Sequence, residues 1–171
     1  MLAKMFERWQ EWMYARGSAR MISRPNEAGD GVEDYLERFY LLKIAGRALF
    51  LHRFYRSDIL DLHDHPWDWG HVVVRGGYYE HHLDGTEVWH GVGNPWWSFV
   101  LRVHAEVMHR VELEPKRAEY AWTLFWHGKR YHRWGFMVDG AWVAARDSGN
   151  ENMQKTVGFV FPRKVRDLRD A

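Results

Sequence analysis

Hydrophobic positions divide the chain into one helical stretch and a long run of strand-like segments. Between residues 2 and 16, Leu2, Met5, Phe6, Trp9, Trp12 and Met13 recur at helical spacing, with Lys4, Glu7, Arg8 and Glu11 between them. That period predicts an amphipathic helix of about three to four turns, stopping near Gly17. Its apolar stripe calls for cover, from the rest of the domain or from a second subunit. Residues 23–34, rich in Pro, Asn, Asp and Gly, read as a loop. Beyond it the hydrophobic period shortens to two. Strands are predicted near 35–44, 48–56, 71–76, 78–83, 86–90, 97–103, 107–113, 119–127, 131–138 and 141–146. Asp84-Gly85 and Asp139-Gly140 mark tight hairpins, and Gly91–Pro95 marks a further turn. Many short strands at this spacing predict an all-β sandwich or barrel. Three segments are expected: an N-terminal helix at 1–22, a β domain at 23–147 and a tail at 148–171. The tail mixes Arg163, Lys164, Arg166 and Arg169 with Asp167 and Asp170, which predicts a solvated end.

Composition narrows the function classes. At 171 residues, 46% of them apolar, the chain is long enough for one domain with a real core. The 11 tryptophans suit the interior and mouth of a barrel, where their N–H groups still find partners. With 24 basic against 23 acidic side chains there is no electrostatic footprint for nucleic acid, so no nucleic-acid partner is expected. The lack of cysteine removes disulfides and thiolate metal ligands. No run approaches about 18 apolar residues and no signal-like apolar core opens the chain, so no membrane partner and a cytoplasmic location are expected.

The chemistry concentrates at His63-Asp64-His65. Two histidines at i and i+2 of an extended segment face the same side, because side chains alternate along a strand. Gly76 and Gly77 follow after a half-buried strand, and His109 lies in a later strand-like run, Val107–Leu113. Three converging imidazoles suit a divalent transition metal such as Zn, Fe, Cu or Ni. The competing reading is a hydrogen-bonded cluster of histidines without metal.

This order of residues resembles the cupin superfamily. Its first motif is a glycine, His-x-His, a downstream Glu and a closing Gly, and its second motif supplies a last His. His63 and His65 match the pair, Gly77 the closing glycine and His109 the later histidine. The resemblance covers roughly residues 33–147 and implies a double-stranded β-helix (a cupin or jelly-roll barrel), a homodimer and a small-molecule ligand. Within cupins, Tyr35–Leu42, Ser57-Asp58, His63–Trp67 and Trp134-Gly135-Phe136 are similar to the small, functionally uncharacterised cupin-like proteins of bacteriophages and bacteria. A phage-encoded member would work in the host cytoplasm. The family Glu, seven positions before the closing glycine, falls at Gly70, which has no ligand atom. What remains is a three-histidine set, close to the facial arrangement of non-haem iron sites. It is similar to three-histidine thiol dioxygenases, whose Ser, His and Tyr beside the metal would fall near Thr123, Phe125 and His127; only Thr123 is a conservative match. The implied cofactor is Fe(II), with Zn, Ni or Mn as alternatives. An all-histidine set supplies no charge to offset the metal's own.

Other candidates follow from strand parity. Thr123, Phe125 and His127 share a face that the cupin comparison turns inward, which makes His127 the candidate general acid or base. Arg102, Thr123, Tyr79 and His104 are the candidate substrate contacts. Arg102 and Arg53 are strand arginines able to hold a carboxylate or phosphate, and His104 falls at a turn near the pocket mouth. His71, opposite Val72 and Val74, is expected to be exposed. His81, His82 and His90 flank a hairpin and are expected at the surface, and His52 and His132 at the surface or in the barrel wall. Asp64, on the other face from the pair, is expected to support the ligands from behind or to fix the loop. There is no phosphate loop, no Gly-x-Ser-x-Gly and no His-Glu-x-x-His. The leading function is a non-haem iron oxygenase acting on a small polar metabolite. The alternatives are a non-catalytic protein that captures a nucleotide or sugar derivative, and a metal-free sugar-nucleotide isomerase.

Overall fold

A sheet of its own chain covers part of the first helix's apolar stripe, at Trp9 and Met13, while Met5 and Trp12 stay exposed. In the computed structural model, which describes residues 2–26, 30–58, 61–92, 99–114, 116 and 119–145, α1 spans Leu2–Ala15. Trp9, Met13 and Tyr14 pack with Phe39, Leu51 and Trp122. Aromatic rings seal the contact, with Phe6 5.4 Å from Trp122 and Trp9 4.8 Å from Phe39. The helix ends where Gly17 takes a left-handed conformation (φ 66°), and Ser18 N–H donates back to the Met13 carbonyl.

Among the described residues ten strands follow: β1 (Ala19–Pro25), β2 (Val32–Ile44), β3 (Arg47–Phe54), β4 (Trp69–His82), β5 (Glu87–Gly91), β6 (Phe99–Val103), β7 (His109–Glu112), β8 (Ala121–His127), β9 (Gly135–Val138) and β10 (Ala141–Ala144). All pairings are antiparallel. The larger sheet runs β1-β2-β3-β8-β4, and β6 pairs the start of β4. The second half of β4 leaves that sheet and pairs β5 and β7. One strand therefore belongs to both walls and wraps them around a common interior, as in a double-stranded β-helix. The bend sits at Gly76, whose φ is 72° and where a Cβ would lie 1.9 Å from the Tyr120 carbonyl oxygen. Only glycine fits there.

The all-β class with an N-terminal helix is thus as the sequence predicts, with two differences. Residues 19–25, read as helix end and loop, form edge strand β1. Their own pattern carries two arginines, and the extended form comes from pairing with β2. The strands expected at 71–76 and 78–83 are one strand, because Gly76 bends it without ending it. The tail at 148–171 and most of the turn at 91–95 lie outside the described residues. Among the described residues no helix is long and apolar enough to cross a membrane.

Inside, Val73, Tyr78, Val111, Leu113 and Ala121 form one apolar cluster. Buried beside the apolar residues are His52, His71, Glu80, His90, His109 and Thr123. The interior is polar as well as aromatic.

Candidate metal centre

Backbone pairing brings the three histidines together. His63 and His109 exchange both N–H···O=C bonds at 2.9 Å, so they form an isolated antiparallel bridge with their side chains on one face. His65 N–H donates to the Ala105 carbonyl at 3.1 Å, and as residue i+2 it shares the face of His63. Asp64 points the other way. Its buried carboxylate accepts from Gly135 N–H at 2.6 Å, His132 Nε2 at 2.8 Å and Trp142 Nε1 at 3.0 Å. It clamps the loop to the β9–β10 hairpin, the loop-fixing role its parity implied.

The ring centroids of His63, His65 and His109 lie 4.9–5.2 Å apart, and one ligand nitrogen from each falls within 4.8 Å of the other two. His65 Nε2 and His109 Nε2 are 2.9 Å apart. Neighbouring nitrogens on one ion, each about 2.0–2.1 Å from it, stand roughly 3 Å apart at a right angle. The donor set therefore fits a transition-metal ion. Burial drives the His63 pKa down to about 4, partly opposed by Asp58 at 3.9 Å. Burial, with His109 and His63 nearby, places His65 well below the usual imidazole range. Both are neutral at pH 7, the form that binds metal.

Glu80 is the residue the sequence reading missed. Its carboxylate is buried, 2.5 Å from His109 Nδ1 and 2.7 Å from His90 Nε2. Burial works against its ionisation, but hydrogen bonds from His109 and His90 outweigh it and hold the carboxyl well below its usual range. A carboxylate only accepts, so His109 Nδ1 carries the proton and Nε2 is left to coordinate. The charge that an all-histidine site lacks is supplied one hydrogen bond further out.

Gly70 is not the vacant ligand position. A Cβ there would meet the Leu101 carbonyl oxygen at 2.5 Å and the Trp126 ring at 2.6 Å, on the outer face of the sheet. The inward neighbour is Trp69, whose ring lies 4.7 Å from His109 and 5.3 Å from His65. An indole fills the space where a fourth ligand was expected.

The remaining candidates divide. Thr123, Phe125 and His127 do face inward on β8: Thr123 is buried, and Phe125 stacks on His52 and Trp69. His127 stacks on Trp67 at 4.1 Å, and Trp67 in turn stacks at 6.4 Å on His65. Its Nδ1–H donates to the Gly128 carbonyl at 2.7 Å, leaving Nε2 as the free lone pair, and burial lowers its pKa. Arg102 is spent elsewhere, on the rim, where its guanidinium binds Asp68. His104 is exposed, 3.8 Å from the same carboxylate. Tyr79 lies on the outer face against Trp89, while Tyr78 and Glu80 point in. His71 and His90, expected at the surface, are buried 4.9 Å apart. His81 and His82 are half-buried, His52 accepts from Arg38 in the buried barrel wall, and His132 holds Asp64. Among the described residues, Trp67 Nε1, Trp69 Nε1 and both His71 nitrogens are buried without a protein partner.

No family model matches the chain, and no curated protein matches it. Solved structures do match. KdgF from a Halomonas species is 18% identical, with a TM-score of 0.43, over 59% of this chain and 87% of its own. A cupin superfamily protein from Desulfitobacterium hafniense is 13% identical, at 0.42, over 66% and 99%. A conserved protein with a double-stranded β-helix domain from Klebsiella pneumoniae is 11% identical, at 0.43, over 67% and 90%.

Proposed function

We propose that this is a cupin-type metalloprotein in which His63, His65 and His109 hold one divalent transition metal, Fe(II) foremost, and that it oxygenates a small polar metabolite. The observation that carries the metal reading is the convergent donor set, with His109 fixed in its coordinating tautomer by Glu80. Bound there, iron would supply Lewis-acid and redox chemistry with positions left for substrate and oxygen. The chain's own residues do the rest. Trp67, Trp69 and Phe125 wall the site with apolar surface and exclude water. The buried N–H groups of Trp67, Trp69 and His71 await acceptors, which favours a polar ligand over a hydrocarbon. His127 presents Nε2 to take or return a proton.

Untagged protein is expected to bind close to one Fe(II) per chain under anaerobic conditions. Nitric oxide, which binds iron where oxygen would, should then give an iron–nitrosyl spectrum. His109→Ala should abolish metal binding, and His127→Ala should leave it intact. Stoichiometric metal in folded His109→Ala refutes the site. Iron that binds fully but never takes up nitric oxide refutes the oxygenase reading and leaves a metal-dependent capture protein.

A further inference from the structure

A cavity of about 440 Å³ opens beside β3 and β8, at the Phe54 and Ala121 end of those strands. Arg53 pairs with Trp122 and Ala48 with His127, so Arg53 and the His127 end of β8 are separated by five residues of strand, about 17 Å. Arg53, Tyr55, Arg56, Ser57, Glu119 and Tyr120 line it, with Leu113. Its volume is that of a small-molecule site.

The arginines set its chemistry. The Arg53 guanidinium lies 4.6 Å from the Tyr55 ring centre, 5.3 Å from Tyr120 and 5.4 Å from Trp122. Rings that cover the faces of a guanidinium leave its N–H edge to bind oxygen. Arg53 forms no ion pair among the described residues, and its Nε is buried without a partner. Glu37, its neighbour across the strands, is taken up by Gln10, Tyr14 and Tyr55. Arg56 shares Glu33 with Arg24, and Arg75 stacks at 5.3 Å on the other ring partner, Tyr120. Ser57 Oγ accepts from Leu113 N–H at 2.9 Å, so its own O–H remains a donor.

We infer a second binding site here, for the phosphate group of a small organic phosphate ester. An orphaned guanidinium edge, a second arginine and a hydroxyl reach the space from separate directions, which suits a tetrahedral oxyanion better than a planar carboxylate. The cavity exceeds the volume of a phosphate ion, and the Tyr55, Tyr120 and Leu113 walls take the organic part. The site needs no metal and stands independently of the three-histidine reading.

The test uses the full chain stripped of metal with a chelator and titrated by calorimetry with phenyl phosphate, inorganic phosphate and benzoate. Phenyl phosphate should bind saturably and more tightly than either of the others. Arg53→Lys keeps the charge but loses the fork, and should weaken binding about tenfold. Exposed Arg56→Gln should weaken it several-fold, and exposed Glu119→Gln should tighten it, two variants that hold if Arg53→Lys fails to fold. Arg102→Gln and His109→Ala should change nothing. Absence of saturable binding, equal binding of benzoate, or loss of binding in His109→Ala overturns the inference. So does unchanged affinity in Arg56→Gln together with Glu119→Gln.

Discussion

Replacing Glu80 by Gln distinguishes a buried carboxylate that serves the metal from one that serves only the fold. The substitution keeps shape and one carbonyl acceptor but removes the charge that His109 and His90 share, at 2.5 and 2.7 Å. Loss of a hydrogen-bond partner behind a metal-bound histidine costs about 10- to 100-fold in metal affinity, or roughly 1.4–2.7 kcal/mol. The upper half of that range is expected, because Glu80 also provides negative charge near an otherwise neutral ligand set. Metal-free stability should respond differently. There the lost charge-assisted hydrogen bonds are offset by relief of a buried carboxylate's desolvation, so the net change should stay within about 2 kcal/mol in either direction. Competition against a fluorescent zinc chelator measures the first quantity, and urea unfolding of the chelator-treated protein the second. Zinc affinity within twofold of the parent in a folded Glu80→Gln protein would refute the argument. A large loss of metal-free stability with unchanged affinity would make Glu80 purely structural.

Acid should unfold the metal-free protein early. His71, pushed by burial to about 3, and His63, at about 4, stay neutral in the fold, whereas an unfolded chain protonates them below about 6.5. Their contribution is full above pH 6.5 and is lost as pH falls toward those values, at roughly 1.4 kcal/mol per pH unit for each histidine; equal urea midpoints at pH 7 and 5 would show solvated imidazoles. Gly70→Glu should destabilise the protein without tightening metal binding, since its Cβ meets Leu101 and Trp126; a folded variant with raised affinity would mean that the register of β4 is wrong. Asp64→Ala leaves three donors unpaired and should cost about 3–5 kcal/mol by denaturant titration. It should also weaken metal binding, because Phe136 of the released hairpin packs against His63; unchanged affinity would detach the hairpin from the site.

How much of the site was legible depends on where parity had an anchor. His63 and His65 were readable together because only one residue separates them, and Asp64 between them was readable for the same reason. His109 was a different case. Its pairing with His63 is a contact between distant segments, and only the two-motif resemblance brought it in. For β4 the sequence offered no anchor. Val72, Val73 and Val74 are apolar on both faces, so nothing in the run says which side is inside. The structure buries Val73 and exposes Val74, which carries His71 and Trp69 inward and Gly70 out. A slip of one residue exchanges the faces of a strand, and the irregularity between Val73 and Arg75 shifts the register again before Tyr78. That is why the sequence points to Tyr79 and gives no sign of Glu80. It is also why His90, paired with Tyr78 well below the hairpin tip, reads as a surface residue in the sequence. The two arginines part for another reason. Sequence shows that Arg102 and Arg53 are charged and on strands, but their difference lies in distant neighbours. Asp68 neutralises Arg102, while the carboxylate across from Arg53 is consumed by Gln10 and two tyrosines. Free cationic capacity therefore sits at Arg53 and not at Arg102, a ranking that strand position alone does not give.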